Sequence, residues 1–125
     1  MVKIETSLAP GAIGPYSQGV GNGQIVITSG QLPIDPATGA FAGEDIASQT
    51  RQSLTNLKNI LNAAGAEMSD VVKTTVYLAH MEDFAAMNQV YAEFFSAPYP
   101  ARAALEVACL PKNALVEIEC VAVKA

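Results

Sequence analysis

In residues 45–64 apolar or small side chains recur every three or four positions, with Ile46, Thr50, Leu54, Leu57, Leu61 and Ala64 at 4-4-3-4-3 spacing. That is the period of one face of an α-helix. Asp45 can accept a hydrogen bond from the first turn, and Gly65 can adopt the left-handed stop. The run therefore predicts a helix over 45–64 that must lay its apolar stripe on something flat. Strands supply that surface. The stretch "QIVITS" at 24–29 is β-branched and follows an Asn22-Gly23 pair, a strong hairpin signal, and "VVKTTVYLA" at 71–79 reads as another strand, which His80 most simply ends. Phe84, Met87, Tyr91 and Phe94 at 3-4-3 spacing predict a second helix over 83–95, ended by "SAPYP" because proline cannot continue it. Strands at about 102–109 and 115–123 complete the chain. This order fits an α+β sandwich with both helices on one sheet face.

The size suits one domain spanning residues 1–125, long enough to bury a core without disulfides or metals. Half the residues are hydrophobic and 15% are charged, so charge is thinly spread and association with other copies is expected. The net charge of −5, without any Lys/Arg cluster, argues against phosphate-tracking contacts to nucleic acid and against anionic membranes. No apolar run approaches the ~20 residues of a membrane span, and the N-terminus lacks a signal-peptide pattern, so a cytoplasmic protein is expected. Cys109 and Cys120 lack a CxxC partner and read as buried free thiols, and a lone His80 leaves no multi-histidine metal site. The glycines at 19, 21 and 23 superficially suggest a nucleotide loop, but a strand follows where that fingerprint requires a helix.

Alternation assigns faces to the last two strands. Ala103, Leu105, Val107 and Cys109 share one side, with Val116, Ile118, Cys120 and Ala122 as the matching set; these are expected to face the helices. Arg102, Glu117 and Glu119 then share the opposite face, where Leu115, Val121 and Val123 are too aliphatic for plain solvent and imply cover by another subunit. From spacing alone, an Arg102–glutamate ion pair closing a sheet edge is the simpler reading.

Five stretches change that weighting. "AIGPYSQG" at 12–19, "SGQLPIDPATG" at 29–39, "QTRQSL" at 49–54, "VVKTTVYL" at 71–78 and "PARAALEVACLPKNALVEIECVAV" at 100–123 together resemble the RidA (YjgF) family over essentially the whole chain. The resemblance implies a chorismate-mutase-like α+β fold assembled as a homotrimer, with sites in clefts between subunits. It implies an enamine/imine deaminase that uses no cofactor and no metal, converting 2-aminoacrylate, 2-aminocrotonate or their imine tautomers, released by pyridoxal-phosphate enzymes, to 2-keto acids and ammonia. Position by position, Arg102 in "PAR" resembles the carboxylate-binding residue and Glu117 in "EIE" the residue that places the hydrolytic water. Tyr16, Gly30 and Asn88 match cleft positions. Many members carry Ser-Cys after the arginine; here Ala103-Ala104 stand there, so a thiol role is absent and the backbone of Ala104 is expected to line the cleft.

The chemistry suits these residue types. A 2-imino acid already hydrolyses in water, so the protein need only hold its carboxylate and present a water molecule. The planar fork of arginine grips a carboxylate through two parallel hydrogen bonds, and a glutamate can orient water towards the C=N carbon. Glu119 shares the parity of Glu117, and spacing does not separate their roles. Two rivals share the scaffold: a non-catalytic regulator that binds keto acids or other carboxylates, and a ribonuclease or translation inhibitor, which the acidic charge disfavours.

Overall fold

The structure, a computed structural model, describes residues 1–125. Six strands, β1 (Val2–Ile4), β2 (Gly19–Asn22), β3 (Ile25–Thr28), β4 (Val71–Leu78), β5 (Ala101–Glu106) and β6 (Val116–Val123), form one mixed sheet in the order β1-β2-β3-β6-β4-β5. Only β4 and β5 are parallel, and helix α2 (Phe84–Tyr91) lies in the crossover between them, as a parallel pair requires. Helix α1 (Ile46–Ala63) packs against β6, β3 and α2, so both helices lie on one sheet face.

Local chemistry explains the elements. Asp45 Oδ2 accepts from Ser48 N at 3.0 Å at the start of α1, and Gly65 adopts φ +77° just past its end. Leu54, Leu57, Ile60 and Leu61 are fully buried between. The same helix also buries two amides that the apolar periodicity conceals. Gln49 donates to Gly43 O at 3.0 Å and accepts from Leu115 N at 2.8 Å; Asn56 donates to Leu32 O and Ile34 O at 3.1 and 2.9 Å. They tie α1 to the 31–43 connection and to the head of β6. In the β2–β3 hairpin Asn22 pairs with Ile25, so Gly23 and Gln24 form the tip, with glycine first at φ +60°. The expected turn is present, centred one residue later than an Asn-Gly tip.

Several expected boundaries move. β1 was not visible in the sequence pattern. α2 is regular only to Tyr91, and the remainder of the expected 83–95 helix is a turn through Phe94. β5 stops at Glu106 because its only partner, β4, ends at Leu78, the residue opposite.

The faces of β5 are the reverse of those expected. Laterally paired residues point to the same side of a sheet. Arg102 pairs with Thr74 and Ala104 with Val76, and both partners are fully buried under the helices. Arg102 and Ala104 therefore face α2, while Ala103 and Leu105 face outward. On β6 the alternation holds, with Val116, Ile118, Cys120 and Ala122 buried and Glu117, Glu119 and Val121 on the outer face. Arg102 thus does not share a face with Glu117 and Glu119. Cys109 lies beyond the end of β5 and is exposed, so the expectation of a core thiol holds only for Cys120, whose thiol burial pushes up to about 11. The outer face is apolar as well: Ile25, Ile27, Leu105 and Val123 are each 41–47% exposed.

Candidate active site

The 4-3 spacing of Phe84, Asn88 and Tyr91 turns these three side chains of α2 towards β5, where they surround Arg102. Its Nη1 donates to Asn88 Oδ1 at 2.7 Å, and its Cζ stands 4.7 Å from the Tyr91 ring centroid and 5.3 Å from that of Phe84. Both rings lie within the range of a cation–π contact. The Tyr91 hydroxyl is itself fixed, 2.7 Å from Thr74 Oγ1. The ion pairs of the protein are Lys3–Glu5 and Arg51–Glu93, so the simpler reading of Arg102 as half of a glutamate pair is not met. A guanidinium has five N–H donors, and Asn88 takes one. Arg102 also borders a hollow lined by Asn88, Tyr91, Tyr99 and Pro100. Arg102 is thus braced on aromatic rings and an amide, with no carboxylate of the protomer paired to it.

Across the sheet a larger hollow of about 950 Å³ is lined by Tyr16, Gly30, Gln31, Lys112 and Glu117, with the 5–11 segment forming a further wall. Gln31 N donates to Ile118 O at 2.8 Å, and Ile118 N donates back to Gln31 O at 3.2 Å. This bridge lays Gly30 directly on Glu117: a Cβ built at Gly30 would lie 2.8 Å from Glu117 Oε2. The glycine is the space the carboxylate occupies.

The two glutamates of β6 are chemically distinct here. Glu119 Oε1 accepts the Tyr77 hydroxyl at 2.9 Å, a bond that raises the proton affinity of that phenol. Glu117 has no such donor and borders the hollow. Burial first, and the charge of Glu119 second, push its carboxyl above the usual carboxylate range.

The structure therefore brings Tyr16, Gly30 and Glu117 together on one hollow, and Asn88 and Arg102 together on another. It does not bring the two groups together within one protomer. Ala104 follows on the Arg102 face but packs against the core. Sequence reasoning missed the aromatic bed of Phe84 and Tyr91, which it treated as helix stripe, and it missed Tyr99 and Gln31. The spacing of Phe84, Asn88 and Tyr91 was the available signal. No cluster of three His, Cys, Asp or Glu side chains is placed to hold a metal ion, and no helix is long and apolar enough to cross a membrane.

Comparison with known proteins matches residues 6–124 to the family model described as Endoribonuclease L-PSP. The chain is 54% identical to the 2-iminobutanoate/2-iminopropanoate deaminase of Salmonella typhimurium, over 97% of this chain and 96% of that protein. Among solved structures it resembles Escherichia coli TdcF with bound serine, with TM-score 0.96 and 48% identity over the full length of both chains. It resembles the Escherichia coli YjgF gene product equally well, with TM-score 0.96 and 49% identity, again over both full chains.

Proposed function

The chain belongs to the Endoribonuclease L-PSP family, that of RidA and YjgF, and on that premise we propose that it is a 2-iminobutanoate/2-iminopropanoate deaminase. The observation that carries this reading is the pair of complementary half-sites: an arginine without an anion and a carboxylate without a donor. Because Arg102 and Glu117 lie on opposite faces of one sheet, a site using both draws Arg102 from one protomer and Glu117 from the next. The outward Ile25, Ile27, Leu105 and Val123 supply an apolar seam for that contact. A heterologous contact of this kind can close as a ring. We assign the ring three members, in line with the family resemblance.

In this site the substrate carboxylate docks on the free N–H groups of Arg102, whose plane Asn88 and the rings of Phe84 and Tyr91 hold. Glu117 accepts a hydrogen bond from water and turns its oxygen towards the C=N carbon. Water adds, giving a carbinolamine with one new C–O bond. Proton transfer to nitrogen then lets the C–N bond break, releasing ammonia and leaving the 2-keto acid. Tyr16, 52% exposed and bordering the same hollow, closes the acid half. The reaction consumes only water. For the ribonuclease reading that the family description carries, Lys112 is the one cation lining the hollow beside Glu117, too little for phosphate tracking.

The test is release of keto acid from 2-aminoacrylate and 2-aminocrotonate generated by a dehydratase, with and without the protein. Acceleration is expected, with a fall in kcat/KM of about 10- to 100-fold in Arg102→Lys, the loss of roughly one charge-assisted hydrogen bond. Tight binding of 2-ketobutanoate without turnover would instead establish a carboxylate-binding regulator. Co-refolding the impaired Arg102→Lys and Glu117→Gln chains tests the shared site by a rise above the activity of either alone: about a quarter of the clefts regain both intact groups in a ring assembled at random. No recovery would place both groups in one protomer's chemistry and refute the assignment.

A further inference from the structure

Gln18 is 3% exposed, and its amide is fully occupied. Oε1 accepts from Thr6 N at 2.7 Å, while the Nε2 hydrogens are shared among the carbonyl oxygens of Thr6, Ala9 and Pro10 at 3.0, 3.2 and 2.8 Å. The 6–10 segment lies between β1 and β2 and belongs to neither, so one side chain supplies the bonds a neighbouring strand would have made. Thr6, Ala9 and Pro10 line the hollow beside Glu117.

The backbone of Gln18 is tied in the opposite direction. Ser29 N donates to Gln18 O at 2.9 Å, and Ser29 Oγ donates to Ser17 O at 2.6 Å. Gly30 and the Gln31–Ile118 bridge follow, and with them Glu117. Hydrogen bonds and the short backbone steps between them thus connect the 6–10 wall, the residues just after Tyr16 and the strand that carries the carboxylate. An apolar side chain of the same volume would fill the space but leave those backbone groups unpaired. The amide instead holds three carbonyls that all belong to one wall of the hollow.

We propose that Gln18 is a positioning residue for the deaminase reaction: its amide fixes the 6–10 wall and Tyr16 relative to Glu117. This rests on the deaminase reading above. Gln18→Met keeps volume and removes every amide bond; Gln18→Glu keeps the acceptor for Thr6 N and removes the donors. Each is measured for kcat and KM in the dehydratase-coupled assay well below its melting temperature, alone and combined with Tyr16→Phe. In folded Gln18→Met, kcat/KM is expected to fall at least about tenfold, because small displacements of positioning groups are costly. In the Tyr16→Phe background the same substitution is expected to cost clearly less, since the Tyr16 hydroxyl, part of what it positions, is already gone. Activity within twofold of wild type in a folded variant, or an identical loss in both backgrounds, overturns the inference while leaving the deaminase reading intact. If Gln18→Met does not fold, the same outcomes are read from Gln18→Glu; failure of both makes Gln18 a folding residue and overturns the inference too. A wild-type protein without turnover overturns the deaminase reading, and this inference with it.

Discussion

Replacing Gly30 by alanine separates activity from stability at one atom. The added Cβ would lie 2.8 Å from Glu117 Oε2, 2.9 Å from its Cδ and 3.1 Å from its Cγ. Ordinary van der Waals contact begins near 3.4 Å, so the carboxylate must retreat by about 0.6 Å. What it meets is the far end of a flexible side chain rather than backbone, so the displacement is taken up by Glu117 χ angles. Gly30 is not among the glycines with positive φ, so alanine suits its backbone. Removing glycine freedom from the unfolded chain contributes roughly 0.4–1 kcal/mol in favour of folding, which offsets part of the strain. The melting temperature should therefore stay within a few degrees of wild type. Activity should not. Displacing a water-orienting group by a fraction of an ångström costs on the order of 10- to 100-fold in kcat. The arginine half lies elsewhere, so KM should change little. The assay is steady-state keto-acid release from enzymatically generated 2-aminoacrylate, beside a thermal melt. A folded Gly30→Ala protein with kcat within twofold of wild type would refute the reasoning, since the carboxylate position would then not matter.

Glu117→Gln is expected to lower kcat by about 10²- to 10⁴-fold while leaving 2-ketobutanoate binding in place. Folding raises the proton affinity of this carboxyl, so its contribution to stability is complete at low pH and is lost as pH rises through the folded-state value; at neutral pH the variant should melt no lower than wild type, and a lower melt would contradict that sign. If the ionised carboxylate is the working form, kcat/KM should rise with pH through a value above the usual carboxylate range, and Glu119→Gln should shift that limb to lower pH by removing the neighbouring charge; an unmoved limb would detach Glu119 from the titration. Leu105→Glu places a charge on the exposed apolar face of β5 and should give folded, inactive protein of lower solution mass; active monomers would refute a shared site.

The elements legible from the sequence were those whose own residues decide them. The 45–64 stripe, capped by Asp45 and stopped by Gly65, needed no tertiary information. The same holds for the β6 alternation, in which one row is wholly apolar. β1 was invisible because three residues carry no period. The family resemblance put Tyr16, Gly30, Asn88, Arg102 and Glu117 in one cleft; the structure gives the physical basis for Tyr16, Gly30 and Glu117 in the hydrogen bonds that tie Ser29 to Ser17 and Gln18, and Gln31 to Ile118 of β6.

β5 failed for a more instructive reason. Alternation divides a strand into two faces, but only the neighbouring strand says which one is buried. Ala103 and Leu105 outweigh Arg102 and Ala104 on any hydrophobic scale, so the core was assigned to the wrong row. In the structure the pairing with Thr74 and Val76 decides, and it turns the arginine under α2, where Phe84, Asn88 and Tyr91 make it tolerable. The apolar row is left facing outward, on the side where Glu117 stands. A sheet apolar on both faces defeats a rule that presumes one solvent face, and it does so because the second face has its own use. The same inversion separates Arg102 from Glu117 by the thickness of the sheet, and on the proposed reading that separation is what calls for a second copy of the chain.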